Sequence, residues 1–401
     1  MEKLKVLELF AGIGACSKAL ERLGIEHEIV DAVEIDKYAV ASFNAIHNTN
    51  FEPQDICKWD KDIEVDLIMH GSPCQDFSLA GKQAGGDKDS GTRSSLMYET
   101  LRIVEKLMPK YVIWENVKNL LSKNHRHNFD AYLSAMEHLG YTNFYQVLNA
   151  KDYGIPQNRE RVFTVSILNN GAVGAAMRGR YNNGIIEQHI EISNRDYANA
   201  ITTVQKDSLV CEKNEEFIFP PKQELKLKLK DMLEDNVDEK YYLTETEKLT
   251  YNRDFGSKGK LQEKEYVDTL TASMGTGGGN VPILKIKNAT KQGYLEATDG
   301  DGIDISSRMQ YHRGNVQKDS IQTITTSGGN DRGVVENLRI RKLTPKECWR
   351  LMGFDDEDFE KAEKVNSNTQ LYKQAGNSIV VNVLYAILKK LLVKEKWSDL
   401  D

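Results

Sequence analysis

A cysteine and a glutamate in the first third of the chain occupy positions where side chains could do chemistry. Cys74 follows a strand-like apolar run, and Glu115 follows the next such run. Because ligands bind at the carboxyl ends of parallel strands, we expect both side chains to face one crevice if the strands are neighbours. A thiol beside a carboxylate suits nucleophilic attack with proton transfer. The alternative for Cys74 is a buried structural cysteine, but polar Gln75 and Ser78 argue against burial.

Two arginines stand just before another predicted core strand. Arg159 and Arg161 are two positions apart, so in an extended segment their side chains point to the same side. Surface ion pairs are the alternative, but this position favours the mouth of the crevice that holds Cys74 and Glu115. A cysteine protease is disfavoured, because no histidine lies in a comparable motif.

A glycine-containing turn after the first predicted strand indicates a cofactor site. Gly12 and Gly14 would let a ligand approach the backbone at the start of a helix, although Ser17 replaces the third glycine of the dinucleotide fingerprint. Glu34, at the end of the second strand, suits ribose hydroxyls, and Asp55 could meet an adenine amino group. Together these residues indicate a nucleoside-containing ligand, with a purely structural turn as the open alternative.

The composition limits the classes of protein that this chain can be. It has 401 residues, 40% hydrophobic and 28% charged, with a formal net charge of −7, as in a globular protein of one large or two smaller domains. A uniformly basic surface is excluded, so any DNA contact must come from a local patch. The five cysteines form no CxxC pair, which disfavours disulfides and a metal site. No apolar run is long enough to span a membrane, and no signal peptide is expected, so we expect a cytoplasmic protein.

The first part of the chain predicts the elements that position these motifs. Residues 1–167 alternate short β-branched runs with amphipathic stretches over 96–106 and 129–139. This alternation predicts an α/β domain whose parallel sheet is covered by helices on both faces.

The rest of the chain predicts an insertion followed by a return to helices. Residues 168–338 are rich in Gly, Asn, Thr and Ser and predict a smaller, loop- and strand-rich domain, with an acidic solvated helix or linker over 231–247. Residues 339–401 are helical in pattern, with a helix that begins at Thr344 and another over 379–393. We therefore expect an α/β domain interrupted by a second domain.

Seven motifs in order make the chain resemble the bacterial and phage DNA (cytosine-5)-methyltransferases. Each motif is unremarkable alone, but their order, with a long insertion before the last two, is specific to that family. The resemblance covers residues 1–167 and 339–395. The motifs are FAGIG at 10–14, EID at 34–36, PCQ at 73–75, ENV at 115–117, QNRER at 157–161, RKLTPKEC at 341–348 and QAGNS at 374–378.

The resemblance implies a Rossmann-like domain that binds S-adenosylmethionine and attacks cytosine. Cys74 would be the nucleophile at C6, Glu115 would hold or donate a proton at N3, and Arg161 with Arg159 would stabilise the base carbonyl. Ile35 stands where the family often has a tryptophan that stacks on adenine, which affects cofactor affinity and not cofactor identity. The implied cofactor-binding residues are Phe10, Ala11, Gly12, Gly14, Glu34, Ile35, Asp55, Ile56, Pro73, Leu96, Asn377 and Ser378.

The resemblance also implies double-stranded DNA as the partner, with residues 168–338 recognising the target sequence. The cytosine must be flipped out of the duplex to reach the thiol, and the segment 76–95 would close over the DNA. The pair Thr323-Ile324 fits the family's recognition motif best, and Thr269-Leu270 is a second candidate. The residues expected to contact DNA are Gln75, Ser78, Arg93, Thr323, Ile324, Gly328 and Gly329, and Arg308, Arg313 and Arg332 could contact guanine edges or phosphates.

Three alternatives remain at this stage. A tRNA cytosine-5 methyltransferase shares the catalytic motifs, but the long insertion favours DNA. A nicotinamide-dependent oxidoreductase leaves the motifs around Cys74 and Glu115 unexplained, and an inactive DNA-binding regulator leaves the catalytic residue types unexplained. We expect a monomer without membrane association. A restriction partner, an orphan role and a phage role remain open.

Overall fold

The structure is a computed structural model that describes residues 3–72, 96–169, 217–242, 284–291, 293–305, 315–326, 331–337 and 339–393. The chain divides into two compact units. The first comprises Met1–Leu148, Glu160–Pro221 and Val383–Asp401, and the second comprises Asn149–Arg159 and Lys222–Asn382. The predicted division into a catalytic domain of residues 1–167 plus 339–401 and a target-recognition domain of residues 168–338 stays a prediction.

A six-stranded sheet forms the centre of the first unit, in the order β2-β1-β3-β4-β7-β5. The first four strands in this order are parallel neighbours, which confirms the predicted α/β arrangement. The strands are β1 (Leu4–Leu9), β2 (His27–Val33), β3 (Leu67–His70), β4 (Tyr111–Val117), β5 (Tyr141–Asn149) and β7 (Glu160–Leu168), and the helices are α1 (Ala15–Arg22), α2 (Lys37–His47), α3 (Met97–Leu107) and α4 (Arg126–His138).

The core of this unit lies between the central strands and two helices. Every described position of β3 is buried, as are the five central residues of β4, because central strands of a covered sheet face apolar groups on both sides. From the helices, Met97 and Ile103 of α3 and Phe129 and Tyr132 of α4 pack into the same cluster. The predicted helices at 96–106 and 129–139 are thus confirmed, with α4 beginning three residues earlier.

Two features of the sheet differ from the sequence prediction. β7 pairs with β4 in the antiparallel direction, so the sheet is mixed. Local apolar patterning is the same for a buried strand in either direction, and it therefore could not show this reversal. β5 was not predicted, because its middle residues are half-buried or exposed and the run lacks a clear period of two.

The described part of the second unit combines small sheets with helices. One sheet has the order β11-β10-β13-β14, while β6 pairs with β12 and β8 pairs with β9. The strands are β6 (Gln157–Asn158), β8 (Leu284–Lys287), β9 (Tyr294–Ala297), β10 (Gly302–Asp304), β11 (Val316–Gln317), β12 (Ile321–Gln322), β13 (Arg332–Glu336) and β14 (Arg339–Lys342), and the helices are α5 (Pro345–Arg350), α6 (Asp356–Glu363) and α7 (Asn368–Asn377). A last helix, α8 (Val381–Leu392), continues into the first unit.

The helix start predicted at Thr344 is confirmed. Its side chain accepts a hydrogen bond from the Glu347 amide, and Glu347 reciprocates at the Thr344 amide, with Pro345 in the first turn. This is a capping box, which satisfies two amides that a helix leaves without partners.

The acidic segment predicted as a solvated helix or linker is different in the structure. Up to residue 242 it contains two single 3₁₀ turns, Leu229–Met232 and Glu239–Tyr241. The first turn overlaps the start of the predicted segment, and Met232 within it is buried, so the prediction of a solvated helix is wrong at that residue.

One apolar stretch, residues 368–392, has the length and hydropathy of a membrane span, with half of its most apolar window buried. The stretch comprises α7 and α8, which are separated by the non-helical residues 378–380. Helices of 10 and 12 residues are each shorter than the roughly 20 residues that a bilayer requires. The stretch is therefore better explained as two core helices.

Candidate active site

The chain that leads to Cys74 is anchored to the neighbouring strand on both sides of Glu115. The Trp114 indole Nε1 donates to Ser72 Oγ at 3.0 Å, and Asn116 Nδ2 donates to the Ser72 carbonyl oxygen at 3.4 Å. Ser72 is 3% exposed, so these bonds form away from water. The structure thus holds the residue two positions before Cys74 against the strand that carries Glu115.

The anchor itself is rigidly packed. The Trp114 ring stacks on His70 with a centroid distance of 5.6 Å and contacts Tyr132 at 4.2 Å. All three side chains are buried, and burial lowers the pKa of His70 to about 3. His70 is therefore a neutral core residue near pH 7, hydrogen-bonded to the Tyr132 hydroxyl at 3.1 Å.

Glu115 forms an ion pair with Arg161. The Arg161 Nε lies 3.0 Å from Glu115 Oε1, and both side chains are largely buried. In the antiparallel register Glu115 pairs with Phe163, and Arg161 lies two residues before Phe163. Glu115 and Arg161 are therefore diagonal neighbours on the same face of the sheet, a separation that long side chains can span. The contact between these two predicted catalytic residues positions the carboxyl group.

Arg159 has different partners from those expected. We expected it beside Glu115, but its guanidinium donates to the carbonyl oxygens of Ile324, Gly376 and Ser378 at 3.2, 3.2 and 2.7 Å. All these residues belong to the second unit. The reason is a change of strand: Arg159 lies between β6 and β7, so the spacing rule for one continuous strand does not apply.

The glycine turn after β1 has the backbone that the sequence predicts. Gly12 and Gly14 have φ of 57° and 80°, and Phe10, a bulky residue, has φ of 53°, a strained value that is typical of ligand sites. A Cβ on Gly14 would lie 2.1 Å from His47 Nε2, whereas a Cβ on Gly12 would meet nothing within 4 Å. Gly14 is thus required by packing, and the space over Gly12 is open.

Glu34 lies directly beside this turn. Its Oε2 accepts from the Gly12 amide at 3.1 Å and its Oε1 accepts from the Asp36 amide at 2.8 Å. Burial raises the pKa of the Glu34 carboxyl. Each carboxylate oxygen can accept a further hydrogen bond, so Glu34 can still bind hydroxyl groups at the open turn.

A buried aspartate organises the loop that carries Asp55 and Ile56. Asp31 accepts hydrogen bonds from Gln54 Nε2 at 2.8 Å, Trp59 Nε1 at 2.8 Å and Lys61 Nζ at 2.7 Å. The backbone amide of Gln54 also donates to the backbone carbonyl oxygen of Glu34 at 2.8 Å. These bonds hold the loop against β2, near the turn and Glu34.

The other predicted cofactor residues occupy varied surroundings. Ile35 is 70% exposed, which leaves its apolar face available to a ligand, while Ile56 is buried. Leu96, half-buried, directly precedes α3. In the second unit, Asn377 ends α7 and is exposed, and the buried Ser378 follows it.

The Thr323-Ile324 pair is held on the QNRER segment. The Ile324 amide donates to Gln157 Oε1 at 3.1 Å, and the Thr323 hydroxyl donates to the Asn158 carbonyl oxygen at 3.0 Å. Arg332, expected as a possible DNA contact, donates through Nε to the Thr323 carbonyl oxygen at 3.0 Å. Its side chain is mostly buried and pairs with Asp304, so its contacts are structural.

Several predicted site residues lie outside the described residues and stay predictions. They are Pro73, Cys74, Gln75, Ser78, Arg93, Gly328 and Gly329, together with Thr269, Leu270, Arg308 and Arg313. Within the described ranges, no group of three or more His, Cys, Asp or Glu side chains could hold a metal ion.

Sequence reasoning missed four residues that support the site: Glu8, Asp31, Ser72 and Trp114. Glu8 and Asp31 are nevertheless visible in the sequence as acids inside the apolar stretches VLEL and IVDAV, and a buried acid requires partners. Ser72 and Trp114 carry no comparable local signal, because their contact joins two different strands.

The geometry defines an α/β domain with a nucleoside-type glycine turn and a positioned carboxylate, as in S-adenosylmethionine-dependent methyltransferases. Residues 4–393 match the family described as C-5 cytosine-specific DNA methylase. The chain therefore belongs to the C-5 cytosine-specific DNA methylases. As an enzyme of this family, it transfers a methyl group from S-adenosylmethionine to C5 of cytosine in DNA, and the oxidoreductase and tRNA alternatives are disfavoured.

Similar proteins include bacterial and phage enzymes. The chain is 33% identical to the type II methyltransferase M2.ScrFI of Lactococcus lactis subsp. cremoris, covering 97% of this chain and 99% of the relative. It is also 33% identical to the orphan methyltransferase M.SPRI of Bacillus phage SPR, covering 98% of each. A solved structure, the Entamoeba histolytica methyltransferase EhMeth, shares the fold with a TM-score of 0.58, 15% identity and 98% coverage of each chain.

The residues at the turn fit S-adenosylmethionine. The open space over Gly12 accepts a ligand close to the backbone, and the remaining acceptor capacity of Glu34 suits the two ribose hydroxyls. The exposed Ile35 offers an apolar contact of the kind that a purine ring requires.

Proposed function

We propose that the protein methylates cytosine within one specific sequence of double-stranded DNA, with Cys74 as the nucleophile and Glu115 as the proton donor. The observation that carries this proposal is the pair of Glu115 and Arg161 at 3.0 Å. Glu115 lies on the strand whose Trp114 and Asn116 anchor Ser72, the residue two positions before Cys74. Such an arrangement supports a thiol and a carboxyl group acting on one base.

The reaction requires C5 of cytosine to become electron-rich. The Cys74 thiolate bonds to C6 of a flipped-out cytosine, and the electron pair of the C5–C6 double bond moves through the ring to N3, which takes up a proton that Glu115 delivers. When bound, S-adenosylmethionine would supply an electrophilic methyl group for C5, with the neutral thioether as the leaving group. C5 then loses its proton to solvent, the Cys74 thiolate is eliminated as the double bond re-forms, and the proton on N3 returns to Glu115.

Arg161 supports this chemistry in two ways. Its contact with Glu115 Oε1 fixes the orientation of the carboxyl group that transfers the proton. Its remaining N–H donors can stabilise negative charge on the carbonyl oxygen of the base. We assign Arg159 to a positioning role, because its guanidinium is engaged with three backbone carbonyl groups.

The cofactor site is assigned by position and chemistry. Phe10, Ala11, Gly12 and Gly14 would present the backbone of the turn, and Glu34 would bind the ribose. The further assigned contacts are Ile35, Asp55 and Ile56 at the adenine, and Pro73, Leu96, Asn377 and Ser378 around the rest of the cofactor.

We assign DNA recognition to residues 168–338, with Thr323, Ile324, Gly328 and Gly329 in the groove and Gln75, Ser78 and Arg93 at the flipped base. One relative is named a type II methyltransferase and another an orphan methyltransferase. These names support two biological roles for this protein, one with a restriction endonuclease partner and one without. We favour a monomer in the cytoplasm of a bacterial cell or a phage-infected host.

The test is expression in a methylation-free bacterial strain, followed by bisulfite sequencing. We expect 5-methylcytosine at one short sequence context. The matched control is Cys74→Ser, which replaces sulfur by oxygen and should abolish methylation while S-adenosylhomocysteine still binds. Unmodified DNA from the wild type, or a fully active Cys74→Ser variant, would contradict the proposal.

A second test traps the covalent step. Duplex DNA that carries 5-fluorocytosine at the identified site cannot release a proton from C5, so the bond from Cys74 to C6 should persist. We expect a denaturant-resistant band of protein and DNA in a gel with the wild type and no such band with Cys74→Ser.

A further inference from the structure

Arg159 connects two segments of the second unit that lie far apart in the sequence. Its Nη1 donates to Ile324 O at 3.2 Å, and its Nη2 donates to Gly376 O at 3.2 Å and to Ser378 O at 2.7 Å. Arg159 is 4% exposed, so these bonds form out of water. We call residues 321–326 the recognition segment and residues 374–378 the closing segment.

The recognition segment is held at successive positions beside Arg159. β12 pairs with β6 in parallel, so that Ile321 lies opposite Gln157. The Ile324 amide donates to Gln157 Oε1, and the Thr323 hydroxyl donates to Asn158 O. A displacement of the recognition segment must therefore act on residues 157–159 directly.

The closing segment also touches the recognition segment without an intermediary. A Cβ on Gly376 would lie 2.4 Å from the Thr325 carbonyl carbon and 2.6 Å from the Thr326 amide nitrogen. Only a residue without a side chain permits this approach. The two backbones are thus in contact, with the Arg159 guanidinium bonded to both.

We propose that Arg159 is a positioning residue that couples DNA binding to cofactor binding. The inference rests on the proposed function, which assigns Thr323 and Ile324 to DNA and Asn377 and Ser378 to the cofactor. The guanidinium is planar with its donors in fixed directions, so movement of the Ile324 carbonyl redirects the donors that hold Gly376 and Ser378. A contiguous network of this kind can carry coupling between two sites, and the coupling is reciprocal.

A purely structural role for Arg159 makes a different prediction. Loss of its three bonds would then lower stability and both affinities, but DNA would still change cofactor affinity by the same factor as in the wild type. The ratio of the two cofactor dissociation constants, without and with DNA, therefore separates the two roles.

The experiment measures that ratio by calorimetric titration of S-adenosylhomocysteine. The duplex carries the site that bisulfite sequencing identifies, and a duplex with a scrambled site serves as the reference. For the wild type we expect the target duplex to tighten binding by at least about fivefold. For Arg159→Lys and Arg159→Met we expect a ratio near one.

Arg332→Lys is the matched control. Arg332 also holds the recognition segment, through a 3.0 Å bond to Thr323 O, and its other partners are Asp331 and Asp304. We expect this variant to bind DNA more weakly and to keep the wild-type ratio.

Gly376→Ala tests the same coupling independently if the arginine variants do not fold. Its methyl group would force the two backbones apart, and we expect the ratio to fall towards one. The inference is overturned if the folded variants keep the wild-type ratio of the dissociation constants without and with DNA. It is also overturned if that ratio is one for a wild-type protein that methylates DNA. An inactive wild type instead overturns the proposed function, and the inference with it.

Discussion

At the residue scale, the diagonal contact with Arg161 holds the Glu115 carboxyl group, which we propose as the proton donor. Glu115→Gln keeps the shape of the side chain but removes the acid. We expect kcat for methylation to fall about 10²- to 10⁴-fold, because that is the usual contribution of a positioned acid. The affinity for S-adenosylhomocysteine should stay unchanged. Single-turnover rates with Arg161→Lys as the companion variant check this, and an active Glu115→Gln enzyme would contradict the role.

The Ser72 hydroxyl, two residues before the proposed nucleophile Cys74, accepts a hydrogen bond from the Trp114 indole. Ser72→Ala leaves the buried indole N–H without that acceptor, so we expect the free energy of unfolding to fall by about 1–3 kcal/mol. Formation of the 5-fluorocytosine adduct should also slow. Urea unfolding of Ser72→Ala, Trp114→Phe and the double variant isolates the pairwise contribution; strictly additive effects would rule out the interaction.

Ile35 is a proposed adenine contact whose side chain leaves room for a larger ring. It is 70% exposed, so a larger flat ring can be introduced there without a clash in the core. We expect Ile35→Trp to tighten S-adenosylhomocysteine binding by about 1 kcal/mol, close to fivefold, through ring stacking. Ile35→Leu is the size-neutral control. Equal affinities for the three proteins would argue against adenine contact at this position.

At the element scale, a carboxylate from a strand caps the helix that follows the glycine turn. The N-cap residue of α1, Gly14, has no side chain to offer, and Glu8 of β1 instead accepts from the Ser17 amide at 3.0 Å and from the Ser17 hydroxyl. Glu8 is buried, and its burial raises the pKa to about 7 from the ordinary 4.5. The start of α1 and the glycine turn before it therefore depend on a group that titrates near neutrality.

This titration predicts a specific pH dependence of stability. Between pH 4.5 and about 7 the unfolded chain has released the Glu8 proton while the folded protein keeps it, so the free energy of unfolding falls as pH rises. The full contribution is present below pH 4.5. Its loss across the window is about 3 kcal/mol in order of magnitude. Glu8→Gln should lack this component in urea unfolding from pH 4.5 to 8, and parallel curves for the two proteins would contradict the assignment.

Much of the first unit could be predicted because its elements carry local signals. β1, β3 and β4 each contain a run of apolar residues, and Thr344 with Pro345 marks a helix start, so both kinds of element appear where expected. The direction of β7 could not be predicted, since it depends on which neighbour the strand pairs with. The partners of Arg159 were equally inaccessible, because Ile324 and Gly376 are brought to it by the fold and not by spacing.

At the scale of the whole molecule, an acidic protein must bind an acidic polymer. The net charge of −7 means that attraction to DNA comes from local contacts between basic side chains and phosphates. Each such contact releases counterions. We expect the affinity for target and scrambled duplexes to fall at least about tenfold between 50 and 200 mM salt, as two or more phosphate contacts require. Fluorescence anisotropy measures this, and salt-independent binding would exclude phosphate contacts.

The antiparallel direction of β7 limits where residues can be inserted into this part of the chain. Because β7 runs antiparallel to β4, its first residues lie beside the end of β4. The Arg161 guanidinium and the Glu115 carboxylate therefore meet within the paired strands, and no loop is needed to bring them together. Codons added before residue 160 change the connection and leave this pairing alone. A single codon inserted between Arg161 and Phe163 would instead turn one of the two side chains to the other face of the sheet. Insertions should therefore be absent from the first residues of this strand in relatives.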